Sequence, residues 1–325
     1  GTSGASHNRI HLGYHYPRSV ETALECKRGY DCFKKHFGNC IKYPDFYYLV
    51  EKDNSWVPAD EYRKFIESVG LEKNEEWPAE SFLDRSKIAA SFKVREGYFD
   101  ILMLRKIIKE RFKMHAIKTR LNFSIKTAEI QRRNILRLYS NKNEIFETRT
   151  DLIVNATYTN ANNLQKAFGL KDHLTEYEFE NTEIAVVECD YAIPALTVVD
   201  GPFVTIMPYG GYEGRYLVAD VINTVVSRSY GIDYVPDENK KSNWNLMLAR
   251  GLKYYPFFKD LRYVGSLWSS RPIPLEKEAQ KNDSRITRVA KHKYPIPFYS
   301  ILEGKIISAP MVAEDLMGRI KNENI

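Results

Sequence analysis

Hydrophobic positions recur at two spacings along the chain, and these spacings predict both helices and strands. Apolar residues at helical spacing predict one helix from about residue 17 to Gly38, a second within 60–69 and a third after Asp100, which can cap it. Runs rich in aromatic and β-branched residues predict strands within 43–50 and 87–94. The first half of the chain therefore mixes helices with strands.

The second half alternates short apolar runs with turn residues. Runs within 120–126, 135–139 and 145–148 have the spacing of a three-stranded meander, and 152–156 predicts a strand buried on both faces of a parallel sheet. Between 175 and 220, four runs separated by Asp-Gly-Pro and Gly-Gly turns predict an antiparallel sheet. A helical stretch within 242–261, short strands within 263–267 and 298–302, and a last helix capped by Ser308 complete an α/β pattern.

Length and composition indicate a folded chain of two domains. The 325 residues are 43% hydrophobic and 28% charged, as in ordinary globular proteins. No apolar run reaches the roughly 18 residues that a membrane span needs, and the N-terminus carries no signal pattern, so we expect a cytoplasmic protein without a membrane span. The net charge of +6 is spread along the chain and gives no support for nucleic-acid binding.

Cysteine and histidine spacings predict no metal site. The four cysteines lack a CxxC pair and are expected to be reduced thiols, with the first two packing in a helix: Cys26, Cys32, Cys40 and Cys189. His7, His11 and His15 are spaced by four residues, but Gly13 and Pro17 argue against a helix there, and no nearby carboxylate completes a ligand set.

Three segments share one character, a small or polar loop beside a buried strand or a helix start. They are residues 1–19, 151–162 and 302–316. Glycines in the first segment allow close approach to a flat ligand, and its Ser, His and Asn side chains can donate hydrogen bonds. The second segment ends a strand where ligands bind in α/β sheets, and the third precedes a helix N-terminus with free N–H groups.

The order and wording of these segments resemble one family. HNRIHLGYHYPRS, REGYFDILMLRKII, DLIVNATYTNAN, TVVDGPFVTIMPYG and LEGKIISAPMVAEDL are similar to successive landmarks of FAD-dependent oxidoreductases of the D-amino-acid oxidase type. The opening also resembles the loop of L-2-hydroxyglutarate oxidases. The resemblance spans almost the whole chain.

The resemblance implies an FAD-binding, Rossmann-like domain interleaved with an antiparallel substrate-binding domain. The flavin domain would comprise 1–41, 96–165 and 262–325, and the substrate domain 42–95 and 166–261. Such proteins open with a strand, a GxGxxG turn and a helix that bind the ADP half of FAD, and that pattern is absent here. Gly210, Gly211 and Gly214 lie between predicted antiparallel strands and indicate a hairpin. We therefore expect the sequence to be N-terminally incomplete.

The resemblance also implies site residues. The cofactor would be contacted by the opening loop and by two later turns, namely Thr2, Ser3, Gly4, His7, Asn8, Arg9, His11, Gly13, Asn155, Ala156, Thr157, Gly304, Lys305 and Ile306. His11 or His15 is the candidate catalytic base, because histidine titrates near neutral pH. Arg271 is the first candidate for binding a substrate carboxylate, with Arg285, Tyr209 and Tyr212 as further substrate contacts.

Together these features predict an FAD-dependent oxidoreductase. It would oxidise a CH–OH or CH–NH group of a small polar, possibly carboxylate-bearing substrate by hydride transfer to the flavin. The alternative is a non-catalytic or incomplete family member that acts as a small-molecule binding protein. A third hypothesis is a sugar- or nucleotide-binding α/β protein without redox chemistry. The sequence leaves the substrate, the electron acceptor and the oligomeric state open.

Overall fold

The structure is a computed structural model that describes residues 2–132, 134–201, 203–238, 240–275 and 287–323. Its α-helices are α1 (Val20–Phe37), α2 (Ala59–Ser68), α3 (Ile101–Met114), α4 (Ala161–Ala167), α5 (Trp244–Gly251) and α6 (Ala309–Asn322). Short 3-10 turns occupy Thr2–Gly4, Gly38–Cys40, Arg85–Lys87, Tyr158–Asn160, Pro256–Asp260 and Ile306–Ser308. No helix in the described ranges is both long and apolar enough to cross a bilayer.

The strands fall into four sheets. Those before the middle of the chain are β1 (Arg9–Ile10), β2 (Ile41–Lys42), β3 (Phe46–Glu51), β4 (Ile88–Val94), β5 (Gly97–Phe99), β6 (Ile125–Arg132), β7 (Ile135–Ser140), β8 (Ile145–Arg149) and β9 (Ile153–Asn155). Those after it are β10 (Tyr177–Glu188), β11 (Ala195–Val199), β12 (Val204–Pro208), β13 (Arg215–Asp220), β14 (Val225–Gly231), β15 (Arg262–Pro274), β16 (Arg288–His292) and β17 (Phe298–Leu302).

The largest sheet has eight strands and is mainly antiparallel. Its order is β14-β10-β13-β12-β11-β3-β4, and β15 pairs with β10. Among the described strands of this sheet, only β3 and β11 run parallel to each other. The antiparallel sheet predicted within 175–220 is therefore present, and it also recruits strands from 46–94 and 262–274.

The eight-stranded sheet is covered on both faces, and β3 demonstrates this. All six of its residues are buried. Phe46, Tyr48 and Val50 pack into the core that includes α1 and α2, whereas Tyr47 and Leu49 pack into the core that includes α5. Side chains alternate across a strand, so a fully apolar strand of this kind requires a layer on each side.

Several predicted elements are confirmed in type and position. Ser19 begins α1, where its side chain accepts a hydrogen bond from the Thr22 amide, and Asp100 caps α3 through the amides of Leu102 and Met103. Strands β7, β8 and β17 lie where the alternation of apolar residues predicts them, and Gly210 and Gly211 lie between β12 and β13 as a hairpin. These elements are specified by residues close in sequence.

The strand predicted within 120–126 is displaced. Pairing with β7 begins only at Ile125, because the preceding residues are mostly exposed and have no partner strand in the described chain. Arg120 instead stacks over the rings of Phe123 and Phe146, at 4.7 and 4.9 Å from their centroids. The alternating pattern within 120–126 predicted a strand, whereas residues 120–123 contribute to a cluster of aromatic rings and an arginine.

The strand within 152–156 is parallel to β17, as predicted, but it is not buried on both faces. Val154 is 41% exposed, because β9 is the edge of the three-stranded sheet β16-β17-β9 in the described chain. Burial on both faces needs covering layers that are absent around this strand within the described residues.

Two further expectations about elements are corrected. The helical stretch predicted within 242–261 is shorter and divides into α5 and the 3-10 turn at Pro256–Asp260, which begins at a proline. β15 is longer than predicted and pairs with β10 along its whole length. Residues 262–274 therefore join the eight-stranded sheet.

Candidate functional site

The opening loop is anchored to β5. β1 pairs with β5, and the Asn8 carbonyl accepts a hydrogen bond from the Phe99 amide at 2.8 Å. Glu96, which is fully buried just before β5, accepts from the Leu12 amide at 2.6 Å and from the Tyr48 hydroxyl at 2.7 Å. Burial raises the pKa of Glu96, and the nearby Arg9 opposes that rise. A buried carboxylate thus holds the loop against the large sheet.

Arg9 was predicted to contact a cofactor, and its side chain is directed into the sheet instead. One terminal nitrogen donates to the hydroxyls of Thr197 and Thr205, both at 2.7 Å, and the guanidinium lies over the Phe46 ring. The other terminal nitrogen lies 3.2 Å from Nδ1 of His15. Both terminal nitrogens of the guanidinium are therefore occupied by protein partners. Arg9 links the opening loop to β11 and β12 inside the protein.

Gly13 also has a structural reason for being glycine. Its φ is +121°, and a Cβ at this position would lie 2.9 Å from the Ala23 carbonyl oxygen in α1. The close approach that the sequence predicted for glycine in this loop is therefore to a helix backbone at Gly13.

His7 and His11 are half-buried, and both rings are neutral at physiological pH. Burial, reinforced by the positive charge of Arg9, lowers the pKa of His7 from 6.5 to about 3 and holds that of His11 well below its ordinary value. The expectation that His11 titrates near neutral pH is therefore wrong, because a charged imidazole would lose its hydration and face a guanidinium.

The tautomer of His15 follows from its partner. An arginine nitrogen can only donate, so Nδ1 of His15 accepts from Arg9 and a neutral ring carries its proton on Nε2. The His15 ring lies 5.4 Å from that of His11 and edge-on to Tyr16. In this arrangement His15 offers a hydrogen-bond donor, whereas the predicted catalytic base needs an acceptor.

Several buried polar atoms around the loop have no partner among the described residues. They are Nε2 of His7, Nδ2 of Asn8, Nε of Arg9, Nδ1 of His11 and Oγ of Ser308. Buried polar groups are normally hydrogen-bonded, and an unpaired one costs about 1–3 kcal/mol. A set of unpaired atoms in one loop and the turn near it is typical of a site that a polar ligand completes.

A cavity of about 310 Å³ lies beside the loop and is lined mostly by polar side chains. Thr2 and Thr159 bring two of the three predicted segments to its wall. On the sheet side, the Ser270 hydroxyl connects the Tyr234 hydroxyl, at 2.6 Å, to the Asn181 amide oxygen, at 2.5 Å. This volume and lining suit a small polar molecule.

The turn at 155–157 is held by its own side chains. Asn155 donates to the Ala161 carbonyl at 2.8 Å and accepts from the Thr157 hydroxyl at 2.7 Å. The Thr157 amide also donates to Asn155 Oδ1 at 3.3 Å, and the Thr157 carbonyl accepts from the Asn160 amide at 3.2 Å. The Asn155 side chain therefore shapes the turn, and a ligand contact at this segment would come from the backbone of Ala156.

The third segment packs against α1 through a buried ion pair. Nζ of Lys305 lies 3.2 Å from Oε1 of Glu25, and both side chains are about 5% exposed. Glu303 accepts from the Lys305 amide at 2.6 Å, and burial raises the pKa of Glu303 to about 7. Lys305 lies close enough to His11 to help lower the pKa of that histidine. The first and third segments therefore meet.

Ser308 does not cap the last helix. Its side chain makes no capping hydrogen bond at the start of α6, because it is packed against α1, where a Cβ at Gly29 would lie 3.3 Å from the Ser308 hydroxyl. Its hydroxyl is thus left among the unpaired atoms described above.

The predicted substrate residues lie in different places. Arg271 pairs with Glu180 at 2.7 Å and is close enough to His7 to lower its pKa. Tyr209 and Tyr212 stack with ring centroids 4.4 Å apart at the β12–β13 hairpin, where side-chain bulk at Gly210 would collide with the Phe99 carbonyl. Arg285 lies outside the described residues.

Gly4 and the hairpin are connected through α3. Arg105 lies near Tyr209, and a Cβ at Gly4 would be 2.8 Å from its guanidinium. The structure therefore brings the start of the opening loop, α3 and the tyrosine pair together.

The acidic residues that hold the site have no signal in the sequence; they are Glu25, Glu96 and Glu303. A single carboxylate has no local signature, and these residues are separated by up to 278 positions in the sequence. Polar residues alternate with apolar ones along β10 and β15, and this pattern was the one sequence signal for the cavity wall. The pattern does not show which face of the sheet borders the cavity.

Comparison with known proteins identifies relatives at low sequence identity. No family model matches the chain. The FAD-dependent monooxygenase FPY4 of Fusarium mangiferae is 23% identical over 331 residues, covering 99% of this chain and 82% of that protein.

Solved structures give the same picture for the fold. Glycine oxidase from Geobacillus kaustophilus superposes with a TM-score of 0.71 at 13% identity, covering 98% of this chain and 84% of that one. FAD-bound L-alpha-glycerophosphate oxidase from Mycoplasma pneumoniae superposes with a TM-score of 0.67 at 13% identity, covering 95% and 82%. The chain therefore has the same fold as glycine oxidase and L-alpha-glycerophosphate oxidase.

Proposed function

We propose that this chain is an FAD-dependent oxidoreductase that oxidises a CH–OH or CH–NH group of a small polar substrate. The observation that carries this function is the buried opening loop, in which His7, Asn8 and His11 hold side-chain nitrogens without partners. The shared fold and the flavin-dependent relatives support the same cofactor.

The residues present fit the flavin half of FAD. An isoalloxazine ring is flat and carries hydrogen-bond acceptors and donors on its edge, which match the unpaired atoms of His7, Asn8 and Ser308. The ADP half needs the backbone donors of a glycine-rich turn, and the GxGxxG pattern is absent from this sequence. The fit therefore concerns the flavin and ribityl portion.

The chain's own residues would bind and orient the substrate. Bound FAD supplies the hydride acceptor for the C–H bond that is oxidised. Arg271 holds a substrate carboxylate through Nε, which has no partner among the described residues.

His11 is the residue we assign to orienting the substrate hydroxyl or amine. Its ring is neutral, and Nδ1 has no hydrogen-bond partner in the described chain. In the tautomer that leaves Nδ1 unprotonated, this atom accepts a hydrogen bond from the substrate hydroxyl or amine, and the lowered pKa of His11 keeps the ring neutral while it does so. His15, whose Nδ1 already accepts from Arg9, orients the neighbouring rings.

The test is the visible absorption spectrum of the purified chain after incubation with FAD, beside a version extended by a strand–GxGxxG–helix unit. We expect flavin bands in at least the extended version, and their weakening in His7→Ala. His115→Ala removes an exposed histidine at the end of α3 and is the matched control, which should retain the bands.

Absence of flavin bands from both versions would overturn the proposal. The binding-protein alternative would then account better for the cavity beside Thr2. Bands of equal intensity in His7→Ala and the parent would show that the opening loop does not bind the cofactor.

The cytoplasmic location stays a prediction, which fractionation of cells can test.

A further inference from the structure

A second cluster of chemically reactive side chains lies where α1 packs against α6. Cys32 and His36 are one helical turn apart and share a face of α1, and Glu314 faces them from α6. The thiol sulfur, an imidazole nitrogen and a carboxylate oxygen all lie within 4.8 Å of one another. His36 Nε2 is 2.8 Å from Glu314 Oε1.

We propose that Cys32, His36 and Glu314 form a binding site for a zinc ion. Thiolate, imidazole and carboxylate are the three side-chain ligands that zinc takes in proteins, at about 2.0–2.3 Å. In a tetrahedral site with bonds of those lengths, two ligand atoms lie roughly 3.3–3.8 Å apart. Small rotations of the three side chains would therefore bring the sulfur, nitrogen and oxygen atoms around one ion. Three protein ligands leave a fourth position for water.

The surroundings allow the site to open to solvent. Cys32 is a free cysteine of intermediate exposure, and the side chains of His36 and Glu314 are 32% and 47% exposed. A metal ion can therefore reach all three ligands without unfolding of the helices. The thiol loses its proton when the metal binds.

Lys35 competes with the ion for Glu314. Its ammonium lies 3.0 Å from Glu314 Oε1, but its side chain is 69% exposed and can swing into solvent. Arg111 donates to the backbone carbonyl of His36 and so engages the main chain of that residue. Competition from one exposed lysine weakens binding and does not block it.

The consequence of zinc binding is a cross-link between two helices that are distant in sequence. α6 follows the turn that carries Lys305, and α1 follows the opening loop, so the ion would join the two segments that flank the candidate site. A ligand that binds only the folded state stabilises it by mass action. This inference does not depend on the flavin or on the proposed reaction.

The test is a zinc titration of the purified chain in a phosphine reductant, followed by competition with a chromogenic chelator. We expect one equivalent to bind, and cobalt to give the intense near-ultraviolet band of a thiolate–metal bond. Cys32→Ser and His36→Ala should each weaken zinc binding at least tenfold and remove the increase in unfolding temperature that zinc produces in the parent.

Two further variants sharpen the test. Lys35→Ala should tighten zinc binding by about two- to fivefold, because it removes the competing ammonium from Glu314. His115→Ala, an exposed histidine outside the cluster, is the control and should bind zinc as the parent does. Circular dichroism of each variant checks that the helices are intact.

Absence of zinc binding by the reduced parent would overturn the proposal. Equal binding by Cys32→Ser, His36→Ala and the parent would also overturn it, since the ion would then sit elsewhere. Both outcomes are independent of flavin content, so failure here leaves the proposed oxidoreductase function untouched.

Discussion

At the scale of single residues, Arg271 and Arg228 form a matched pair for testing substrate recognition. Both arginines contact Glu180, Arg271 at 2.7 Å and Arg228 at 3.1 Å, and Arg228 also pairs with Glu178. Only Arg271 lies close enough to His7 to influence the pKa of that histidine. Nε of Arg271 is buried and lacks a partner in the described part of the chain.

Arg271→Ala should raise KM for a carboxylate substrate about ten- to a hundredfold, because a charged hydrogen bond contributes about 1.5–3 kcal/mol. Flavin content should not change. The measurement is steady-state kinetics beside the flavin spectrum, and Arg228→Ala should behave as the parent. Equal KM values in Arg271→Ala and the parent would contradict the assignment.

The lowered pKa of the half-buried His7 makes the free energy of unfolding depend on pH. Its pKa is about 3 in the folded chain and 6.5 when exposed, so the unfolded chain binds the proton first as the pH falls. Its contribution to stability is complete above pH 6.5 and decreases as the pH falls towards 3. The slope reaches about 1.4 kcal/mol per pH unit for each such histidine.

His7→Gln should reduce this pH dependence of the free energy of unfolding between about pH 6 and 4.5, where the parent loses stability most steeply. Denaturant unfolding at several pH values measures it. Glu303 has a pKa raised to about 7, so its contribution to the free energy of unfolding decreases as the pH rises. Glu303 is present in both proteins, and its contribution therefore cancels when they are compared. The same slope in His7→Gln and the parent would show that His7 is not held neutral.

At the scale of elements, helix starts differ in what their first residue does. The Asp100 carboxylate accepts from the Leu102 and Met103 amides, both at 2.9 Å, and so satisfies two free donors of α3. Ser308 occupies the same position before α6 and satisfies none. The two residues are indistinguishable as capping signals in the sequence.

Asp100→Ala should lower the free energy of unfolding by about 1 kcal/mol, because it removes a cap. Ser308→Ala should change stability by much less in the absence of ligand, and should weaken flavin retention, because its hydroxyl is one of the unpaired atoms at the site. Chemical unfolding and flavin content of the two variants measure these effects. Equal destabilisation by both substitutions would show that Ser308 does cap α6.

At the scale of the whole molecule, the buried ion pair of Glu25 and Lys305 joins the ends of the described chain. Glu25 belongs to α1, and it also accepts from the amide of Thr287 at 3.2 Å. Burying a charge is costly unless it is paired, so each member of this pair is needed by the other. The pair fixes the turn at 304–306 against the helix that follows the opening loop.

Lys305→Met should lower the free energy of unfolding by about 3–5 kcal/mol, because it leaves Glu25 buried without its counter-charge. Lys73→Met removes an ammonium from an exposed pair with Glu67 and should change stability by less than about 1 kcal/mol. Denaturant unfolding of both variants at pH 7.5, roughly half a unit above the raised pKa of Glu303, measures the difference. Similar losses in the two would show that the buried pair contributes little.

The sequence by itself determined the elements whose signals are local. Ser19 and Asp100 predict the starts of α1 and α3, the alternation within β7 and β8 predicts their pairing, and Gly210 and Gly211 predict a hairpin. The order of the segments within the chain also predicted the fold. Caps, turns and alternation depend on residues a few positions apart, which a sequence displays directly.

Only the tertiary structure decided which polar residues are buried and what they face. Arg9 was assigned to a ligand and instead binds Thr197 and Thr205, and the carboxylates of Glu25 and Glu96 had no signal at all. Their roles depend on neighbours more than fifty positions away in the sequence. The energy of a charge is set by the water removed around it and by the partners that replace that water, and both are known only once the chain is folded.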